Sequence, residues 1–290
     1  MKILVTGSEG FLGSEIINAL SKRKISIFGL SKNKKKNKNN KYKLINSNLL
    51  NLEKNSQILK SNKFDVLIHC AWYTNPKDYL HSKKNTEWLK ASKKLIDEFY
   101  RYGGKQFIGI GTNAEFNTSN KKNKVFEKKF SKGAETLYGK SKSKLNNYLL
   151  SKYKNAKWIR IFWLFGKNEK KERFLRNMIS IFRKNKNFFL EYPSIKRDYI
   201  STEQAAKLIV DIIFKKKNGQ SFNVCNGKSL SLKEIAFITK KQIKSGKLIL
   251  SNNKDNNEII GETKKISKFT NYKNYNVRED LINHINHFYK

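Results

Sequence analysis

At 290 residues with 38% hydrophobic content, the chain is long enough to bury a large core, as one α/β unit or, the expected case, as a nucleotide domain with a smaller lobe. Its 62 Lys+Arg against 23 Asp+Glu give a formal net charge of +39, but lysine far outnumbers arginine and lies beside asparagine along most of the chain. That distribution reads as a solvated, lysine-biased surface that binds polyanions nonspecifically at low salt, and it excludes a single arginine–aromatic nucleic-acid stripe.

The first thirteen residues, MKILVTGSEGFLG, predict a short apolar strand over Lys2–Thr6 and then glycines at 7, 10 and 13 before the helical pattern of Phe11–Leu20. Glycines let backbone N–H groups approach a phosphate, and a helix N-terminus adds a dipole that favours negative charge. A dinucleotide pyrophosphate fits such a turn. Ile25–Leu30 is a second apolar run, ended by Ser31 and Lys32. An acidic side chain at that place would hold the adenine ribose hydroxyls of NAD, whereas a hydroxyl and cations favour the 2′-phosphate of NADP. Ser31, Lys32 and Lys34 stand there, so NADP(H) is favoured and NAD(H) remains open. The densest basic run, KNKKKNKNNKYK, follows at Lys32–Lys43.

Lys43–Ile45 and Phe64–His69 predict the third and fourth strands around a helical stretch near Leu52–Leu59. Trp88–Tyr100 presents an apolar helix face, Gly103–Gly104 stops it, and Gln106–Ile110 is the next strand. This alternation predicts a parallel sheet, doubly wound in the Rossmann manner, with helices on both faces. The strand leads into GTNAEF at Gly111–Phe116, and a lysine-rich loop leads to ETLYGKSKSKLNNYLL. There Tyr138 and Lys142 lie four apart on one helical face, with Leu145, Leu149 and Tyr153 marking the helix. An ammonium beside a phenol lowers the phenol's pKa and suits it to acid–base work, and Thr112 offers a hydroxyl to the same carbonyl.

Further on, helices are predicted near Lys171–Arg183, Glu203–Phe214 and Leu232–Thr239, with Val277–Tyr289 as the last. Cys70 and Cys225 fall in apolar, strand-like segments and read as buried thiols in a reducing compartment. His284 and His287 lack acidic or cysteine partners nearby and read as surface histidines, so no metal is expected. No apolar run approaches the roughly 18 residues of a membrane span, and the first residues enter a strand directly, so the chain reads as soluble and cytoplasmic, with no membrane partner.

Six segments in order resemble the extended short-chain dehydrogenase/reductases, the NAD(P)-dependent epimerase/dehydratase family that modifies nucleotide sugars. TGSEGFLG is similar to its TGxxGxxG, FDVLIHCAW to its DxVIHxAA strand, and Tyr138 with Lys142 to its YxxxK. RIFWLFG at Arg160–Gly166 is similar to RxFNxYGP, KRDYIST at Lys196–Thr202 to RDFIHVxD, and SFNVCNGKSLSLKEIA at Ser221–Ala236 to YNIGxGxxxSLxEL. The resemblance implies a Rossmann domain over 1–165 and a mainly substrate-binding lobe over 166–290, some of whose segments return to the sheet. It implies that Thr112 and Tyr138 bond the sugar oxygen while Lys142 binds the nicotinamide ribose and lowers the Tyr138 pKa. Gly7, Gly10, Phe11, Leu12 and Gly13 would cradle the pyrophosphate, Asn48 and Leu49 flank adenine, and Ala71 and Trp72 line the cofactor. Arg197 would grip the substrate's phosphates. A homodimer through the helices of Trp88–Tyr100 and Tyr138–Tyr153 is implied by the same analogy.

Departures from the family pattern narrow the expected reaction. Family dehydratases carry an Asp-Glu pair after the threonine, and members that epimerise neighbouring carbons place a cysteine at the position matching Ala114; here Asn113 and Ala114 follow Thr112. Chemistry at one carbon is left. A 4-ketoreductase of a nucleoside-diphosphate 4-keto-6-deoxy sugar leads, a nucleotide-sugar 4-epimerase is the alternative, and a nucleic-acid-binding or regulatory protein on a dehydrogenase fold ranks last. Trp163 stands where the family has asparagine, and Lys167 where it has proline, so Trp163 is either a packed wall or a contact to the sugar.

Overall fold

The computed structural model describes residues 1–32, 41–117, 122–215, 219–270, 272 and 275–289. Lys34 and most of the lysine–asparagine run lie outside them. In chain order come β1 (Lys2–Thr6), α1 (Gly13–Leu20), β2 (Ser26–Ser31), β3 (Lys43–Asn46), α2 (Leu52–Asn62), β4 (Val66–His69), α3 (Lys84–Arg101) and β5 (Gln106–Thr112). A single 3₁₀ turn over Asn113–Glu115 follows, then β6 (Lys122–Val125), α4 (Leu137–Lys152), β7 (Lys157–Ile161), β8 (Trp163–Phe165), α5 (Phe174–Arg183), β9 (Phe188–Leu190), β10 (Lys196–Arg197), β11 (Tyr199–Ser201) and α6 (Thr202–Ile213). The rest is β12 (Gln220–Val224), β13 (Leu230–Ser231), α7 (Leu232–Ile243), β14 (Leu248–Leu250), β15 (Glu258–Gly261), α8 (Lys264–Phe269) and α9 (Val277–Tyr289).

Local chemistry sets the boundaries of these elements. The Asn51 side chain accepts the Lys54 N–H at 3.1 Å to start α2, and Lys63 ends it in the left-handed region, at φ 50°. Thr136 caps α4 through the Gly139 N–H, and Ser231 with Glu234 forms a capping box at the head of α7.

Seven strands form the parallel central sheet, in the order β12-β7-β5-β4-β1-β2-β3. After β3 the chain crosses back to place β4 on the other side of β1, so the crevice at the carboxyl ends of β1 and β4 is the place where such sheets bind ligands. Ile16, Ile17 and Leu20 of α1 pack with Ala205, Ile209 and Ile212 of α6 over one face, and Leu95, Phe99, Leu145 and Leu149 of α3 and α4 cover the other. Each buried Ile, Leu or Phe among them contributes about 2 kcal/mol. This is the doubly wound Rossmann-type sheet that the alternating pattern predicts. A smaller lobe carries its own core around Phe165, Met178, Phe182, Ile235 and Leu281, beside a four-stranded sheet ordered β13-β10-β15-β6.

Two surface and burial expectations change. His287 is exposed, but His284 is buried against the Phe165 ring, with centroids 5.6 Å apart, because it shares the inward stripe of α9 with Leu281 and Ile285. Cys225 is buried as expected, whereas Cys70 is only half-buried, and each lies just past the end of its strand. Among the described residues no helix is long and apolar enough to cross a membrane, and no group of three or more His, Cys, Asp or Glu is placed to hold a metal ion.

Candidate active site

The glycine turn joins β1 to α1 with little spare room. Gly7 adopts φ +67°, donates its N–H to Leu30 O at 2.8 Å, and a Cβ there would stand 2.9 Å from Ala71 N. A Cβ at Gly13 would run into the Gly7 carbonyl, so this glycine lets α1 seat against the turn. Gly10 is exposed and Phe11 half-buried, while Leu12 is buried beneath them. A tight first glycine, an exposed second whose Cβ would stand 3.0 Å from Gly7 O, and a helix-packing third are what close approach of a pyrophosphate demands, so the residues fit a dinucleotide. Ser31 is buried at the end of β2 and Lys32 is exposed beside it. In the turn before α2, Asn48 is exposed and Leu49 buried. Ala71 donates its N–H to Thr6 Oγ1 at 3.2 Å, and that hydroxyl also meets His69 Nδ1 at 2.8 Å. Burial pushes His69 down to about 3, which keeps it neutral.

Thr112 ends β5, and Tyr138 and Lys142 sit in the first two turns of α4. The Thr112 hydroxyl donates to Asn113 Oδ1 at 3.3 Å and lies near enough to the Tyr138 phenol to favour its ionised form, and Tyr138 is fixed at its backbone by an N–H bond to Leu80 O at 3.0 Å. Its ring meets Tyr79 edge-on at 5.2 Å and Trp72 at 6.5 Å. Lys142 is buried; its Nζ donates to Ile110 O at 2.8 Å and lies 3.9 Å from the centroid of the Trp72 ring. The electrostatics depart from the simple tyrosine–lysine picture. Burial within the aromatic cage pushes the Tyr138 phenol above its ordinary value, with Tyr79 adding to the rise, instead of a neighbouring ammonium pulling it down. Burial likewise pushes Lys142 down to about 7, with Glu115 and Cys70 opposing.

Behind Thr112 stands an acid that motif reading passed over. Glu115 is fully buried and accepts from the Thr112 N–H at 2.9 Å, Trp158 Nε1 at 2.8 Å, Arg160 Nε at 2.9 Å and Ser131 Oγ at 3.1 Å. Arg160 is equally buried and sends its other nitrogens to Lys128 O and Lys129 O. The spacing Thr112-x-x-Glu115 is a capping-box pattern, and the structure shows both halves of that box closed.

The remaining sequence candidates, Trp163 and Arg197, lie on β8 and β10. Trp163 on β8 is half-buried and pairs with Tyr199 across the β8–β11 ladder. The Arg197 guanidinium stands 5.1 Å from the centroid of the Trp163 ring and donates to Lys196 O and Asn257 O. Three contacts from the segment before α5 reach the part of the fold that carries the glycine turn. Asn168 Nδ2 donates to Ser14 Oγ at 3.0 Å, Lys170 Nζ to Thr74 O at 3.1 Å, and Arg173 lies 5.6 Å from the Phe11 ring centroid.

Comparison with known proteins follows the same lines. The model of the NAD dependent epimerase/dehydratase family matches residues 3–225. No curated protein sequence matches significantly. The UDP-glucose 4-epimerase of Thermus thermophilus, in complex with NAD, has a TM-score of 0.86 at 16% identity, covering 99% of this chain and 99% of that one. UDP-glucuronic acid 4-epimerase from Bacillus cereus, in complex with NAD, has a TM-score of 0.82 at 20% identity over 100% of both chains. The dTDP-glucose 4,6-dehydratase from Bacillus anthracis, in complex with NAD, has a TM-score of 0.84 at 16% identity, covering 99% of this chain and 96% of that one. At these identities the likeness is one of fold.

Proposed function

The chain belongs to the NAD-dependent epimerase/dehydratase family, and from that premise we propose that it is a 4-ketoreductase that takes a nucleoside-diphosphate 4-keto-6-deoxy sugar to the alcohol with NADPH. The observation that carries this reading is that Thr112 ends β5 while Tyr138 and Lys142 both pack against Trp72 from the head of α4, with Asn113 and Ala114 in place of any acid or thiol.

In this reading Gly7, Gly10, Phe11, Leu12 and Gly13 hold the pyrophosphate, and Ser31 and Lys32 face the adenine ribose with its 2′-phosphate. Asn48 and Leu49 flank adenine, Ala71 and Trp72 line the groove, and Lys142 binds the nicotinamide ribose. When bound, the nicotinamide supplies the hydride. Thr112 and Tyr138 hydrogen-bond the sugar carbonyl oxygen, and Tyr138 gives that oxygen its proton. A phenol held protonated by burial suits this donating role. Asn113 and Ala114 can neither expel water nor take a proton from a neighbouring carbon, which keeps the chemistry at one carbon. The segment after 166 serves as the substrate lobe, whose Arg197, together with Trp163 just before it, receives the nucleoside diphosphate. The protein works in the cytoplasm as a homodimer through α3 and α4.

A second reading, a 4-epimerase that recycles a resident NAD, is favoured by the bridge of Asn168, Lys170 and Arg173 beside the glycine turn, which suits a retained cofactor. Two of the similar folds are named 4-epimerases as well. A screen of keto nucleotide sugars against NADPH and NADH, with chromatography of any nucleotide released from the purified protein, separates the two. Stoichiometric NADPH consumption by a protein that carries no nucleotide supports the reductase. Turnover without added reductant by a protein that releases NAD supports the epimerase.

A further inference from the structure

Lys142 is a charge in an unusual place. Its side chain is 3% exposed, and among the described residues no carboxylate makes an ion pair with it. Two groups meet the ammonium directly: Ile110 O accepts at 2.8 Å, and the Trp72 indole presents its face with the centroid at 3.9 Å. The indole is held there by more than packing. Its Nε1–H donates to Asn85 Oδ1 at 2.9 Å, and the fully buried Asn85 is itself fixed by donating to Tyr79 O at 2.6 Å and Ser82 O at 2.9 Å. Tyr79 also packs against Tyr138. One chain of contacts therefore runs from Tyr138 through Tyr79, Asn85 and Trp72 to Lys142.

We infer that Trp72 is a positioning residue for Lys142, its indole face holding the ammonium charged and in place below the cofactor groove. Glu115 and Cys70 also favour the charge, but the contacts that meet the ammonium directly are the indole and Ile110 O. His69 and Cys70, from the end of β4, are neutral, because burial pushes the imidazole down to about 3 and the thiol up to about 12. Tyr138, on the same helix, is held protonated by burial. Glu115, on the 3₁₀ turn, favours the charge from a distance, while its hydrogen bonds go to Thr112, Trp158, Arg160 and Ser131. Burial brings Lys142 down to about 7, so a contact of moderate strength decides its charge near neutrality. A desolvated cation–π contact is strong enough to move that titration by about one pH unit. The titration stands apart from the proposed function; only the link to cofactor affinity rests on Lys142 binding the ribose.

The test is an NMR titration of lysine-labelled protein without added cofactor, with the Lys142 signal assigned by its loss in Lys142→Met. Trp72→Leu should lower the midpoint by about one pH unit, while Trp72→Phe, which keeps a π face, should hold it to within about 0.3. Mono-, di- and trifluorotryptophan incorporation weakens the π face at nearly constant shape and should lower the midpoint stepwise, which keeps the test decisive if the leucine variant does not fold. A folded Trp72→Leu protein that titrates as the wild type does, or a midpoint indifferent to fluorination, would overturn the inference. Calorimetry at pH 8 should then show severalfold weaker NADPH binding to Trp72→Leu. A shifted midpoint with unchanged affinity would uphold the Trp72 contact and overturn the ribose-binding role of Lys142.

Discussion

Thr112 donates its backbone N–H to the carboxylate of Glu115 at 2.9 Å, and through that acid it is tied to Trp158 and Arg160 on β7. The residue proposed to meet the sugar oxygen thus rests on a buried ion pair that itself never faces the cleft. Both members of that pair are fully buried.

Breaking the pair should be costly. Glu115→Gln leaves the Arg160 guanidinium buried without its counter-charge, a cost of about 3–5 kcal/mol. Urea unfolding of wild type and Glu115→Gln measures this. Equal stability of wild type and Glu115→Gln would contradict the role given to the pair.

Acid sensitivity should show at Glu98, which joins α3 to α2. The Ser56 hydroxyl, donating at 2.7 Å, and Lys94 at 2.9 Å hold its carboxyl down to about 2 from the ordinary 4.5. Because the folded value lies below the unfolded one, its contribution is full above about pH 4.5 and is lost as the pH falls through about 2. The stability difference between wild type and Glu98→Gln, followed by thermal melts, should shrink over that window. A difference that stays constant from pH 6 to pH 2 would contradict it.

Cofactor choice should depend on the end of β2. If Lys32 faces a 2′-phosphate, Lys32→Ala should weaken NADPH binding by about tenfold and leave NADH nearly unchanged, since a charge-assisted bond is worth roughly 1.5–3 kcal/mol before solvent screening. Calorimetric titration with both cofactors reads the ratio. Equal loss for both, or none for either, would remove the support for NADP.

Much of this was legible because it is local. Gly7, Gly10 and Gly13 lie within one turn, Tyr138 and Lys142 within one helical turn, and β1 and β4 carry continuous apolar runs. The helices of the smaller lobe were legible from their periodicity, but its strands were not, because they are two to four residues long and pair across great chain distances, as Lys122–Val125 does with Glu258–Gly261. Glu115 has no periodic signature; only its spacing from Thr112 hinted at it. His284 was readable from its place among Val277, Leu281 and Ile285, where helical periodicity outweighs its polarity. Nor does residue type reveal that burial raises Tyr138, since the cage of Tyr79 and Trp72 forms only in three dimensions.

The most direct measurement is the rate of NADPH oxidation with a nucleoside-diphosphate 4-keto-6-deoxy sugar by wild type and by Tyr138→Phe. Loss of the phenol's proton transfer should lower kcat by about 10²–10⁴-fold, with NADPH affinity preserved because Lys142 and the glycine turn are untouched. Full turnover by the phenylalanine variant would contradict the account.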